Sequence, residues 1–128
     1  MNHRILITDD DVALRSAYQV LLSREDELIV DYAENSTQAH AYMSINEYDA
    51  ALFDIQLTND SESGLDLLRE MKAKRPLTPI MMMSSMDDAG TIAHCHELGA
   101  DLFVSKNCGF FAGFSNHVHR LLGGEKAA

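Results

Sequence analysis

Arg4-Ile5-Leu6-Ile7-Thr8-Asp9-Asp10-Asp11 sets an apolar run of strand length directly against three consecutive aspartates. Like charges are not placed side by side for stability; acids this close raise one another's pKa unless a cation compensates. Working outward, the apolar pattern recurs at Leu28-Ile29-Val30, Ala50 to Phe53, Ile80 to Met83 and Leu102-Phe103-Val104. These runs are too short for buried helices, and most lack strict alternation. Strands covered on both faces read this way, which points to a parallel sheet between helical layers.

The segments between the runs carry helical spacing. Leu14, Ala17, Tyr18, Leu21 and Leu22 form the stripe of an amphipathic helix. Gly64, Leu67, Leu68 and Met71 repeat it in shorter form, as do Ala89, Ile92, Ala93 and His96. Asn35 or Ser36 caps a helix expected to run to about Ser44. Pro76 and Pro79 punctuate the end of the third helix and the start of the fourth strand. Phe111, Phe114, Val118 and Leu121 or Leu122 predict a last helix from about Phe110. Strands alternating with helices, each connection a crossover, predict a doubly wound α/β domain. The domain is expected over residues 1–122, with 123–128 a flexible tail or the start of a linker.

Composition narrows the function classes. A chain of 128 residues fits one domain and can bury roughly two-thirds of its unfolded surface. It is 46% hydrophobic and 23% charged, as a folded protein is. The net charge of −10 argues against direct nucleic-acid binding, which depends on clustered Lys and Arg. No apolar run approaches the ~20 residues that span a bilayer. The N-terminus leads straight into a strand and carries no secretory signal, so the expected compartment is cytoplasmic and no membrane partner is expected. Cys95 and Cys108 read as buried packing residues. Met81, Met82 and Met83 alternate faces along a strand and cannot converge on one soft metal ion. Met86 is expected to shape access to a nearby pocket.

In open α/β sheets, ligands bind beyond the carboxyl ends of the strands. The first strand ends in Thr8-Asp9-Asp10-Asp11, the third in Phe53-Asp54-Ile55, the fourth in Met83-Ser84-Ser85 and the fifth in Val104-Ser105-Lys106. Carboxylates, a hydroxyl and an ammonium therefore project from one edge of one sheet. Magnesium suits such a place, because it takes one or two carboxylates plus water and phosphate oxygens. With Lys106 opposite, the arrangement fits phosphoryl transfer to a central carboxylate. Asp11 reads more simply, as the cap of the first helix.

These blocks, together with Asp49 to Asp54, Pro79 to Ser84 and Gly99 to Lys106, resemble the response-regulator receiver family of two-component signalling, in its chemotaxis-regulator-like form. The likeness runs from Arg4 to about Leu122. It implies a flavodoxin-like sheet of strand order 2-1-3-4-5 with five helices. It also implies that Asp54 is the phosphoacceptor, that Asp9 and Asp10 are the acidic pair for Mg²⁺ (or Mn²⁺), Asp10 binding it directly and Asp9 directly or through water, and that Gln56 offers the metal its backbone carbonyl. By the same resemblance Ser84 hydrogen-bonds the phosphoryl group, Lys106 pairs with it, and Phe103 is the aromatic switch whose ring turns inward when Ser84 moves. The responding surface would be the fourth helix, fifth strand and fifth helix.

Implied partners are a histidine kinase or histidine phosphotransfer protein, a downstream output domain or partner protein, and a second copy of the chain in a phosphorylation-dependent homodimer. The sequence departs from the family at Thr58, where a proline is usual, in a longer loop from Thr58 to Ser63, and at Asn107, where a proline usually follows a cis bond. Such a domain modifies itself and turns over no metabolite, so it is read as a switch and not an enzyme. Two other readings stand beside it: a phosphorylation-independent pseudo-receiver that only binds partners, and a phosphatase using an aspartyl phosphate. The second usually needs another acid two residues past the nucleophile, where this chain has Gln56.

Overall fold

All five apolar runs become strands: β1 (His3–Thr8), β2 (Leu28–Ala33), β3 (Ala50–Asp54), β4 (Ile80–Ser84) and β5 (Leu102–Ser105). The computed structural model describes residues 2–58 and 60–123; the tail expected over 123–128 lies, beyond Gly123, outside the described residues. The strands pair in parallel in the order β2-β1-β3-β4-β5. Helices α1 (Val12–Leu21), α2 (Ser36–Ile45), α3 (Gly64–Lys74) and α4 (Ala89–Glu97) fill the crossovers, and α5 (Phe110–Leu121) follows β5. This is the flavodoxin-like doubly wound architecture that the sequence predicts.

Both faces of the sheet are covered, which is why β3 and β4 are buried along their whole length. Ile5, Ile7, Leu52, Met81 and Met83 pack with Tyr18 of α1 and with Phe110, Phe114 and Val118 of α5. Leu6, Phe53 and Met82, one residue out of phase, pack with Ala39 of α2, Leu67, Leu68 and Met71 of α3 and Cys95 of α4. The side-chain period of two thus splits each strand between two cores.

Local signals set the helix starts. Asp11 Oδ1 accepts from the N–H groups of Ala13 and Leu14, at 2.9 and 3.1 Å, and so caps α1. Asn35 Oδ1 accepts from Gln38 N at 2.8 Å and caps α2. Ser63 and Asp66 form a reciprocal capping box at the start of α3.

Three expectations are corrected. In α4 the buried residue is Cys95, with Ile92 half-buried, whereas Ala89, Ala93 and His96 are exposed. In α5 the inward residues are Phe110, Phe114, Val118 and Leu121, and Phe111 is 48% exposed. Neighbours on a helix point about 100° apart, so only one of two adjacent phenylalanines can face the core. Cys108 lies exposed in the β5–α5 connection, and only Cys95 is the buried packing residue expected of both.

Gly64 fixes how closely α3 approaches the end of β3. A Cβ there would stand 2.0 Å from the Asp54 carbonyl oxygen and 2.9 Å from Ile55 Cα. Both are backbone atoms without freedom to yield, and Gly64 N donates to the Ile55 carbonyl at 2.8 Å. Gly64→Ala is therefore expected to cost about 2 kcal/mol, within the range for overpacking, and a denaturant melt against the wild-type chain measures it.

Candidate functional site

The carboxyl ends of β1, β3 and β5 bring Asp9, Asp54 and Lys106 into direct contact. Asp9 follows Ile7 by two residues and so points to the α1/α5 side of the sheet, where it is fully buried. Its backbone continues the β1 ladder, with Asp9 N donating to the Ala33 carbonyl at 3.1 Å. Arg15 Nη1 donates to the Asp9 carbonyl at 2.8 Å. Lys106 Nζ reaches both Asp9 Oδ2, at 2.7 Å, and Asp54 Oδ2, at 2.8 Å. Asp54 is 5% exposed, and its Oδ1 accepts from Gln56 N at 3.2 Å.

Asp10 is held from the other side: Thr58 N donates to its Oδ2 at 2.6 Å. The position that usually carries a proline thus supplies a backbone donor, which a proline could not do. Asp9, Asp10 and Asp54 each offer one oxygen, and these atoms lie within 4.8 Å of one another. An all-oxygen, triply acidic set of this size suits a hard divalent cation.

The electrostatics follow from burial and charge. Burial pushes the Asp54 carboxyl up to about 6; the Lys106 ammonium and the Gln56 N–H pull it down, and the Asp9 carboxylate pushes it up further. Burial works against the Lys106 ammonium, yet the bonds and charges of Asp54 and Asp9 overcome it and hold its pKa above the ordinary value.

Ser84, at the end of β4, is fully buried; its Oγ accepts from Met86 N at 2.9 Å, and its carbonyl accepts from Lys106 N at 2.9 Å. Gln56 Nε2 lies 3.0 Å from Met86 Sδ, joining the segments that follow Asp54 and Ser84. Phe103 stands apart from this network: it pairs with Met82 in the sheet and is half-buried against the α2–α4 core.

No cis peptide occurs among the described residues, so Lys106–Asn107 is trans, and Lys106 still reaches both carboxylates. Asn107 organises the turn by other means, its Nδ2 donating to the Ser85 carbonyl at 3.1 Å and to Asp87 Oδ2 at 3.0 Å. Ser105 Oγ donates to the same Asp87 oxygen at 2.8 Å. The long loop after Thr58 is likewise tied down. Asp60 accepts from Ser36 N and Oγ at 2.7 and 2.6 Å, and His40 Nε2 lies 2.9 Å from Glu62 Oε1.

Sequence reasoning missed Tyr18, which it took only as part of the apolar stripe of α1. Its hydroxyl donates to Asp9 Oδ2 at 2.6 Å. The available signal was a polar tip in a buried stripe, since a buried tyrosine hydroxyl usually finds a partner.

Comparison with known proteins identifies the family. The profile of the response regulator receiver domain family matches residues 5–111. The transcriptional regulatory protein KdpE of Staphylococcus aureus is 32% identical over 106 residues, spanning 83% of this chain and 44% of its own length. The regulatory protein VanRB of Enterococcus faecalis is 31% identical over 106 residues, spanning 83% of this chain and 46% of its own. The chain therefore spans less than half the length of these two relatives. Among solved structures, the receiver domain of NtrX from Brucella abortus superposes with a TM-score of 0.83 at 26% identity, covering 94% of this chain and 99% of that one. The chain belongs to the response regulator receiver domain family.

Proposed function

We propose that the domain is a phosphorylation-dependent signalling switch in which Asp54 accepts a phosphoryl group from a phosphohistidine on a sensor kinase or histidine phosphotransfer protein. The observation that carries this reading is the meeting of Asp9, Asp10 and Asp54 within 4.8 Å, with Lys106 Nζ 2.8 Å from the Asp54 carboxylate. An Asp54 oxygen attacks phosphorus and forms the acyl phosphate, while the phosphorus–nitrogen bond of the donor breaks and its electron pair returns to the imidazole, which departs neutral with the proton its other ring nitrogen already carries. Asp10, Asp54 and the Gln56 carbonyl would hold Mg²⁺, with Asp9 binding it directly or through water, and the ion would supply positive charge to neutralise the carboxylates and the transferring group.

Lys106 stabilises the charge gathered on the phosphoryl oxygens, and Ser84 turns its hydroxyl from Met86 N towards them. A phosphoryl group adds about −1.5 to −2 charge at neutral pH, enough to draw both groups inward. Phe103 then follows into the space that Ser84 leaves, and the face made by α4, β5 and α5 changes shape for an output domain, a partner protein or a second copy. Water later hydrolyses the acyl phosphate, returning Asp54 to its carboxylate.

Incubation with phosphoramidate and Mg²⁺, followed by intact-mass measurement, tests the reading. The expected result is the mass gain of one phosphoryl group, abolished by EDTA. A chain that binds partners but gains no mass under these conditions is a phosphorylation-independent module, and the proposal falls.

A further inference from the structure

Asp9 is the most enclosed of the clustered carboxylates, and its oxygens are not equivalent. Oδ2 takes two strong donors, Lys106 Nζ at 2.7 Å and Tyr18 Oη at 2.6 Å. Oδ1 takes only the backbone N–H of Asp11, at 3.0 Å. A carboxylate has about four acceptor directions; here both on Oδ2 are used and one on Oδ1 remains. The tyrosine that does this is itself immobilised. It is fully buried, its ring stacks on Phe114 at 4.8 Å between centroids, and it meets the edge of Phe110 at 6.1 Å.

A core tyrosine taking the nearest acceptor would be unremarkable. The acceptor here, however, is a member of the cation-binding cluster, and the short, charge-assisted bond saturates one chosen oxygen. We propose that Tyr18 is a positioning residue that fixes Asp9 to present a single oxygen to the ion, directly or through a bound water, and thereby sets the preference of the site for Mg²⁺ over Ca²⁺. The inference rests on the reading of the cluster as a divalent-cation site given above. Mg²⁺ demands near-ideal octahedral geometry, whereas Ca²⁺ accepts six to eight oxygens and carboxylates in one- or two-oxygen modes. A carboxylate locked with a single free oxygen serves the first ion and denies the second its freedom.

The test is calorimetric titration of the unphosphorylated full chain with MgCl₂ and, separately, CaCl₂. Tyr18→Phe is expected to weaken Mg²⁺ binding about 10-fold, the lower end for loss of a group that orients a metal ligand, while Ca²⁺ affinity changes far less. Equal weakening of both ions, or no change in either, overturns the proposal. Phe114→Leu serves as the packing control: it removes the stacked ring, keeps the hydroxyl, lowers the melting temperature and should leave the Mg²⁺/Ca²⁺ ratio unchanged. A ratio that collapses equally in Phe114→Leu assigns the effect to packing and also overturns it.

Should Tyr18→Phe not fold, the ring-carbon NMR signal of Tyr18 next to the hydroxyl, followed in the wild-type chain, decides the matter: Mg²⁺ is expected to shift it, and an unshifted signal defeats the proposal. A wild-type chain that binds no Mg²⁺ at all refutes the cation-site reading itself, a result distinct from unchanged selectivity.

Discussion

Asp54→Asn is expected to abolish phosphoryl uptake and, in the same sample, to raise the melting temperature. The first effect follows from replacing an anionic oxygen nucleophile by a neutral amide. The second follows from where the carboxylate sits. Burial holds it near 6 in place of 3.8, against the pull of Lys106, which costs the native state about 3 kcal/mol at neutral pH. Burying the N–H donors of the new amide offsets part of the gain, so a net stabilisation of about 1–2 kcal/mol, or roughly 4–8 °C, is expected.

The pH dependence has a definite sign. The unfolded carboxyl releases its proton near 3.8 and the folded one near 6, so between them the native state binds more protons. Stability from this group is complete below the unfolded value and is lost as pH rises through that window. Melts of wild type and Asp54→Asn in metal-free buffer should therefore lie closest together in acid and diverge between about pH 4 and 6. A variant that still gains the phosphoryl mass, or a gap that ignores pH, contradicts the account.

Lys106→Met is expected to be the most destabilising of the site substitutions. The ammonium, 12% exposed, stands between a fully buried Asp9 carboxylate and a nearly buried Asp54 carboxylate. Its removal leaves two anions facing each other without compensation, a change worth about 3–5 kcal/mol for a buried pair. For a domain of this size that is a fall of more than about 10 °C. Millimolar Mg²⁺ should restore part of the loss, because a cation that binds only the native state stabilises it by mass action. Adding Asp54→Asn should restore part as well, by removing one stranded charge; the two effects are coupled and should not add. Thermal melts with and without Mg²⁺ measure each, and a variant that melts with the wild type in EDTA sinks the prediction.

The strands were legible because a strand buried on both faces writes a nearly unbroken apolar run, as Ala50 to Phe53 and Ile80 to Met83 do. Once the strands are placed, their carboxyl ends locate Asp9, Asp10, Asp54, Ser84 and Lys106 at one rim. What stayed hidden depended on side-chain direction. In α4, alanines, a glycine and histidines give no clear apolar face, and the inward position fell to Cys95. Phe110 and Phe111 are chemically identical, and only the partnership of Phe110 with Tyr18 and Phe114 selects the first. The Tyr18 hydroxyl meets an aspartate nine residues earlier, and helical period carries no information about that tip. Asn107, where the family usually has a proline, ties down the turn with its side-chain amide, which no pattern of apolar residues could announce.

The close seat of Gly64 against the Asp54 carbonyl leaves the backbone of Asp54 no room to retreat. Behind it, α3 abuts the backbone with no slack, and Ile55 is bonded on both sides, its N–H to Met83 and its carbonyl to Gly64. Ahead of it, residues 85–90 are exposed throughout. The backbone that carries Asp54 is thus pinned, and a bulky group added to its side chain would have to be accommodated at the exposed rim instead.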